Sequence, residues 1–110
     1  MTQLDIRKPA TLPICFHHDA NHVRLRVSLD LTGATVVFRY KPPGAAEKTI
    51  TPTLQAPVLG KTQMDIDLPD ADLAATNEGR KGSYLLEVMM PGDVDPIHLI
   101  AGPYWRKPWV

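Results

Sequence analysis

Val23-Arg24-Leu25-Arg26-Val27-Ser28-Leu29-Asp30-Leu31 carries an apolar residue at every odd position and a polar one at every even position. A period of two belongs to a strand with one face on a core and one in water. It fits no helix, whose apolar positions recur every three or four residues. Thr35-Val36-Val37-Phe38-Arg39-Tyr40-Lys41 then sets Val36, Phe38 and Tyr40 on one face. Thr62-Gln63-Met64-Asp65-Ile66-Asp67-Leu68 sets Met64, Ile66 and Leu68 inward and Gln63, Asp65 and Asp67 outward. Ser83–Met90 gathers Tyr84, Leu86, Val88 and Met90 on one side, with Leu85 and Met89 apolar on the other.

Working outward, Leu12–His18, Glu47–Leu54 and Pro96–Lys107 read as further strands. Pro52 has no amide to donate, which places Glu47–Leu54 at a sheet edge, and Gly102-Pro103 predicts a bend or bulge in the last strand. Asp19-Ala20-Asn21, Thr32-Gly33, Pro42-Pro43-Gly44 and Pro91-Gly92-Asp93 supply turn chemistry between them. Asp70–Thr76 alone has a helical pattern, with Asp70 as the expected cap. The fold expected is all-β: an immunoglobulin-like antiparallel β-sandwich of about seven strands with one short helical turn. Parallel α/β folds are excluded, because they need a crossover helix between strands. Alternating strand directions put the loops at 18–22, 42–46 and 69–81 at one end, and those at 32–34, 55–61 and 91–95 at the other.

The 110 residues suffice for one compact core, so the expectation is a single domain over 1–110, with an extended N-terminal segment at 1–11 and a C-terminal arm at 103–110. The single cysteine excludes an internal disulfide. No run approaches the roughly 18 apolar residues a bilayer span requires, and the first residues lack the apolar stretch of a cleaved secretion signal. Acids and bases balance at 12 each. Residues 62–96 nevertheless hold eight acids against Arg80 and Lys81, leaving a basic remainder; the leading reading is solvated surface charge, and the alternative is attraction between the acidic and basic regions of different copies. The scattered Lys and Arg do not form the stripe of a nucleic-acid binder.

From Leu29 the residues Asp30-Leu31-Thr32-Gly33-Ala34, followed by the Val-x-Phe strand Val36-Val37-Phe38, resemble the small immunoglobulin-like domains of bacteriophage tail and baseplate proteins, such as the N-terminal domain of phage baseplate upper proteins. Gly79-Arg80-Lys81-Gly82-Ser83-Tyr84-Leu85-Leu86-Glu87-Val88 and Leu99-Ile100-Ala101-Gly102 are similar to later strands of that family, so the resemblance covers roughly residues 12–107. The first loop departs from it: His17-His18-Asp19-Ala20-Asn21-His22 stands where the family carries Gly-Asp and a small polar residue. The resemblance implies a structural virion component of a phage or prophage, in tail or baseplate, made in the host cytoplasm and acting by assembly with its own copies or other virion proteins. The rival expectation is a carbohydrate-binding or adhesion module presenting Tyr40, Tyr84, Tyr104, Trp105 or Trp109 to sugars.

The residues themselves point away from catalysis and from cofactors. Ser28 and Ser83 are the only serines and neither lies in Gly-x-Ser-x-Gly. Asp65 and Asp67 read as a solvated strand face. Cys15, His17, His18, Asp19 and His22 are the one cluster of metal-ligand types, but their spacing matches no zinc pattern, and ordinary loop histidines are the expectation. Tyr84 after Gly82 is placed like a corner tyrosine whose hydroxyl reaches a loop backbone. Two groups remain as partner-binding candidates. Val37, Leu85, Met89 and Ile100 fall opposite the core-facing residues of their strands, predicting an apolar patch on the outer sheet face. Tyr104, Trp105, Arg106 and Trp109, of types enriched at interface hot spots, read as an attachment arm, the alternative being that Tyr104 and Trp105 finish the last strand and cap the core end.

Overall fold

The computed structural model describes residues 10–77, 79–92 and 94–107. Nine strands and one helix follow in order: β1 (Ala10–Thr11), β2 (Ile14–Phe16), β3 (His22–Val27), β4 (Thr35–Lys41), β5 (Lys48–Ile50), β6 (Thr53–Leu54), β7 (Thr62–Asp67), α1 (Asp70–Ala74), β8 (Gly82–Met89) and β9 (Ile97–Arg106). One sheet runs β1-β9-β8-β4-β5, with β2 also on β9, and the other runs β3-β7-β6. The first strand lies on the last with the central strands beside it, and the second, fourth and fifth strands form the opposite layer of a two-sheet sandwich. The expected sandwich is therefore present.

Two of the seven expected strands are each split at a proline. Leu12-Pro13 divides the first into β1 and β2, both parallel to β9, so the sandwich is not antiparallel throughout. Thr51-Pro52 divides the fourth into β5 and β6, which sit at the edges of different sheets. A residue without an N–H cannot continue a ladder, and here the chain uses it to change sheets. Gly102 has a different role from the expected bulge: a Cβ there would lie 2.7 Å from the Leu12 carbonyl oxygen, so its bareness admits the first strand. The register shift falls instead between Leu86 and Glu87, opposite Leu99.

The core takes Leu25, Val27, Met64 and Ile66 from one sheet and Val36, Phe38, Tyr40, Leu86, Val88 and Tyr104 from the other, each at or below 9% exposure. Phe38 stacks on Tyr84 at 5.2 Å between ring centres, and Tyr104 meets Tyr40 edge-on at 6.0 Å. Gly82 makes room for this packing, since a Cβ there would lie 2.3 Å from Cε1 of the Tyr104 ring. The strand through Leu25 stops pairing at Val27, yet Leu31 stays fully buried. Buried Thr62 replaces the lost ladder there: its hydroxyl accepts from the Leu31 amide at 3.0 Å and donates to the Leu29 carbonyl at 2.7 Å. The Tyr84 hydroxyl donates to the Leu12 carbonyl, a loop backbone as expected, though one far upstream in sequence.

Asp70 is the first helical residue and not the cap; Pro69 precedes the helix and offers no side-chain bond to it. The two ends of the sandwich form as the alternating directions predict. Val27 pairs with Thr62 and Thr35 with Met89, which brings the loops at 28–34, 55–61 and 90–96 together. The first and last of these touch, since a Cβ on Gly33 would lie 3.1 Å from the Pro91 ring. At the opposite end the Arg106 guanidinium meets Asp70 at 2.9 Å and donates to Asn21.

Candidate functional site

On the outer face of the larger sheet, cross-strand pairing sets Thr35 opposite Met89, Val37 opposite Glu87 and Arg39 opposite Leu85. Val37, Leu85 and Met89 lie on that face and are half-buried. They do not form a continuous apolar patch, because Glu87 lies among them, accepting from Arg39 at 3.0 Å and facing His98 at 3.4 Å. Ile100 leaves the patch altogether. It pairs with Leu86 and packs on the core, since the register shift at Leu99 exchanges the faces of the residues around it.

The C-terminal arm is a strand as far as Arg106. Tyr104 is fully buried between β2 and β8, so it is a core residue and not a partner contact. Arg106 is also committed inward, bonded to Asp70, Asn21 and the Ala20 carbonyl, with its side chain 15% exposed. Trp105 points away from the core beside Cys15, and the Lys81 ammonium stands 4.5 Å from its ring centre. Trp109 lies outside the described residues. Tyr40 and Tyr84 are core residues as well, which leaves Trp105 as the one described member of the aromatic set proposed for sugars that faces outward.

The loop end holds what the sequence reading passed over. Val58 and Lys61 exchange two main-chain bonds of 2.9 and 3.0 Å, closing a two-residue hairpin on Leu59 and Gly60. Both turn residues have positive φ, 54° at Leu59 and 75° at Gly60, the geometry of a type I′ turn. Such turns take Asn, Asp or Gly at the first position, because a Cβ there crowds the backbone. Leucine is thus held in strained backbone with its side chain 96% exposed, beside Val58 at 68%. Val94, in the 90–96 loop of the same end, is 88% exposed. Below the hairpin runs an open groove of about 510 Å³ lined by Arg26, Gln55, Val58, Lys61 and Gln63. Pro57-Val58-Leu59-Gly60 carried the available signal: two aliphatic residues immediately before a turn glycine, where polar ones are usual.

Polar groups cluster toward the other end. Asp72 of α1 is buried and accepts from the Tyr40 hydroxyl at 2.8 Å and from Lys48 Nζ at 2.6 Å. Burial pushes its carboxyl upward, but the bonds from Lys48 and Tyr40 and the Lys48 charge outweigh that and hold it below the usual carboxylate range. The Tyr40 hydroxyl is pushed up by burial and by its bond to Asp72. The network pins α1 to β4 and β5. The Tyr104 hydroxyl is buried without a hydrogen-bond partner among the described residues, and burial lifts its pKa to about 12. Asp65 is not a free solvated carboxylate: Arg24 donates to it at 2.8 Å and holds it low, with Gln55 alongside, while Asp67 is exposed.

Of the five metal-ligand types near the first turn, the structure brings three together. One donor atom from each of His17, His18 and Asp19 lies within 4.8 Å of the others. Cys15 faces the outer sheet surface beside Trp105, and His22 turns toward Asp65 at 3.8 Å. No family model and no curated protein matches this chain. No helix among the described residues is long and apolar enough to cross a membrane.

Proposed function

We propose that the protein is a structural assembly module that docks through its apolar loop end, and that it serves as a virion component of a phage tail or baseplate. The observation that carries the docking role is Leu59, almost fully exposed in left-handed backbone at a hairpin tip. Strain and solvent exposure both act against a leucine there. A residue kept against two unfavourable terms points to a benefit outside the isolated fold, and burial in a partner supplies one. Val58 and Val94 extend the apolar surface, and each aliphatic side chain fully buried at a contact contributes about 1.5–3 kcal/mol. The virion setting rests on the resemblance of residues 29–39 and 79–88 to phage tail domains. Burial of Tyr40, Tyr84 and Tyr104 weighs against the sugar-binding alternative, which needs exposed aromatic platforms.

The test is immuno-electron microscopy of phage particles from the producing host with antibody against this chain, run beside a glycan array. Labelled tails or baseplates with a silent array support the reading. Saturable glycan binding with unlabelled particles overturns it.

A further inference from the structure

We propose that the turn between β2 and β3 binds one divalent transition-metal ion of the zinc or cobalt type through His17, His18 and Asp19. The His17 carbonyl accepts from the Ala20 amide at 3.1 Å, closing a four-residue turn from which both imidazoles and the carboxylate project. The His17 and His18 rings lie 4.4 Å apart, and His17 Nδ1 is 2.5 Å from Asp19 Oδ1. Ligand bonds of about 2.1 Å in a tetrahedral site put donor atoms about 3.4 Å apart. The present spacings, 2.5 Å for that pair and no more than 4.8 Å across the set, bracket this value, so small rotations, chiefly of the exposed His17 and Asp19 side chains, close the site.

His18 supplies a second, independent observation. Its Nδ1 is buried and has no hydrogen-bond partner among the described residues, an arrangement that costs free energy while that nitrogen stays unpaired. His18 offers either ring nitrogen to the ligand set, and coordination through Nδ1 gives that nitrogen its partner. The His17 and Asp19 side chains are 53% and 72% exposed, so an ion enters directly from solvent and keeps positions open to it. Two imidazoles with one carboxylate favour zinc-like ions over calcium and magnesium, which prefer all-oxygen shells.

The turn is also held in place before any ion arrives. The Lys107 amide donates to the Phe16 carbonyl at 3.0 Å and the Leu68 amide to the Asn21 carbonyl at 2.9 Å, with Arg106 bonded to the Asn21 side chain. Little ordering is left for binding to impose.

Calorimetric titration of the tag-free full chain with Zn²⁺, and the visible spectrum with Co²⁺, test the site. One ion is expected per chain. His17→Gln, His18→Gln and Asp19→Asn are each expected to weaken binding about tenfold or more, while His22→Gln and Cys15→Ser leave it unchanged. His17 and Asp19 are exposed, so their variants remain informative even if His18→Gln disturbs the fold. Absence of saturable uptake at one ion per chain overturns the proposal. So does uptake that survives the His17 and Asp19 substitutions, or that is lost with Cys15→Ser.

Discussion

Replacing Leu59 with asparagine is expected to make the protein more stable and less able to assemble. Leu59 sits at φ 54° with 96% of its surface exposed, so the native state gives up almost no burial when the side chain is removed. A left-handed residue with a branched carbon side chain carries a steric cost of roughly 1–2 kcal/mol, much of which asparagine escapes by bonding locally to the backbone. A gain of about 1 kcal/mol follows, which for a domain of this size raises the Tm by about 4 °C. Leu59→Gly relieves the same crowding but adds about 0.5–1 kcal/mol of unfolded-state entropy, so it should lie between wild type and asparagine. Thermal melting by circular dichroism measures the order Asn above Gly above Leu. Competition between variant and wild-type chains for incorporation into particles measures the docking cost. A Tm that falls with Leu59→Asn would refute the strain reasoning. Equal incorporation of the two chains would refute the role of the tip.

Gly82→Ala is expected to cost about 3 kcal/mol, because its new Cβ would overlap the buried Tyr104 ring, whereas Tyr104→Phe should be neutral or stabilising since it removes a buried hydroxyl with no partner; urea unfolding measures both. Asp72 is held below its ordinary pKa when folded, so its contribution to stability is complete above about pH 4, the unfolded value, and is lost as pH falls through the lower folded value. Melting across pH 2–6 should show that acid loss. Lys48→Met should destabilise at neutral pH by leaving the buried carboxylate with only the Tyr40 hydroxyl. Leu85→Glu with Met89→Glu should fold normally, because both side chains face outward and Arg39 stands opposite Leu85 to pair with the new acid; failure to fold by circular dichroism would make that face part of the core.

Strand positions were legible where the period of two was long, as at Val23–Val27 and Thr62–Leu68, because a one-residue slip there would turn the whole apolar set outward. The proline splits at Pro13 and Pro52 were half legible. A missing amide announces an edge, but whether the chain continues in its sheet or crosses to the other depends on the opposite layer. Ile100 was misplaced because a register shift inside β9 exchanges faces, and nothing in Leu99-Ile100-Ala101 marks it. Tyr104 and Arg106 carry the residue types of an interface. Their real partners, the cavity over Gly82 and the carboxylate of Asp70, lie more than twenty residues away in sequence. Asp72 illustrates the same limit: alternation exposes acids on strands, but a buried acid on a short helix becomes visible only with Tyr40 and Lys48 in place.

The two ends of the sandwich are built on opposite physical principles, and under the docking role proposed above this sets the direction in which the module works. Toward one end Tyr40 and Lys48 bond to Asp72, and Arg106 to Asp70 and Asn21, so these charged groups are paired within the chain while, among the described residues, the Tyr104 hydroxyl and His18 Nδ1 are not. At the other end Val58, Leu59 and Val94 stand in solvent, with no described residue of the fold covering them. The internal ties hold loops and strand ends in fixed geometry, while the apolar tip offers contact area on a two-residue turn that is itself hydrogen-bonded and therefore presented with little entropy left to lose. β9 ends at Arg106, beside Asp70 and Asn21, so its C-terminus faces away from the tip. Under that reading a partner seated on Leu59 also meets the groove beside it, where Arg26 and Lys61 are the charged residues, which favours an apolar pocket with an acidic rim as the complementary surface.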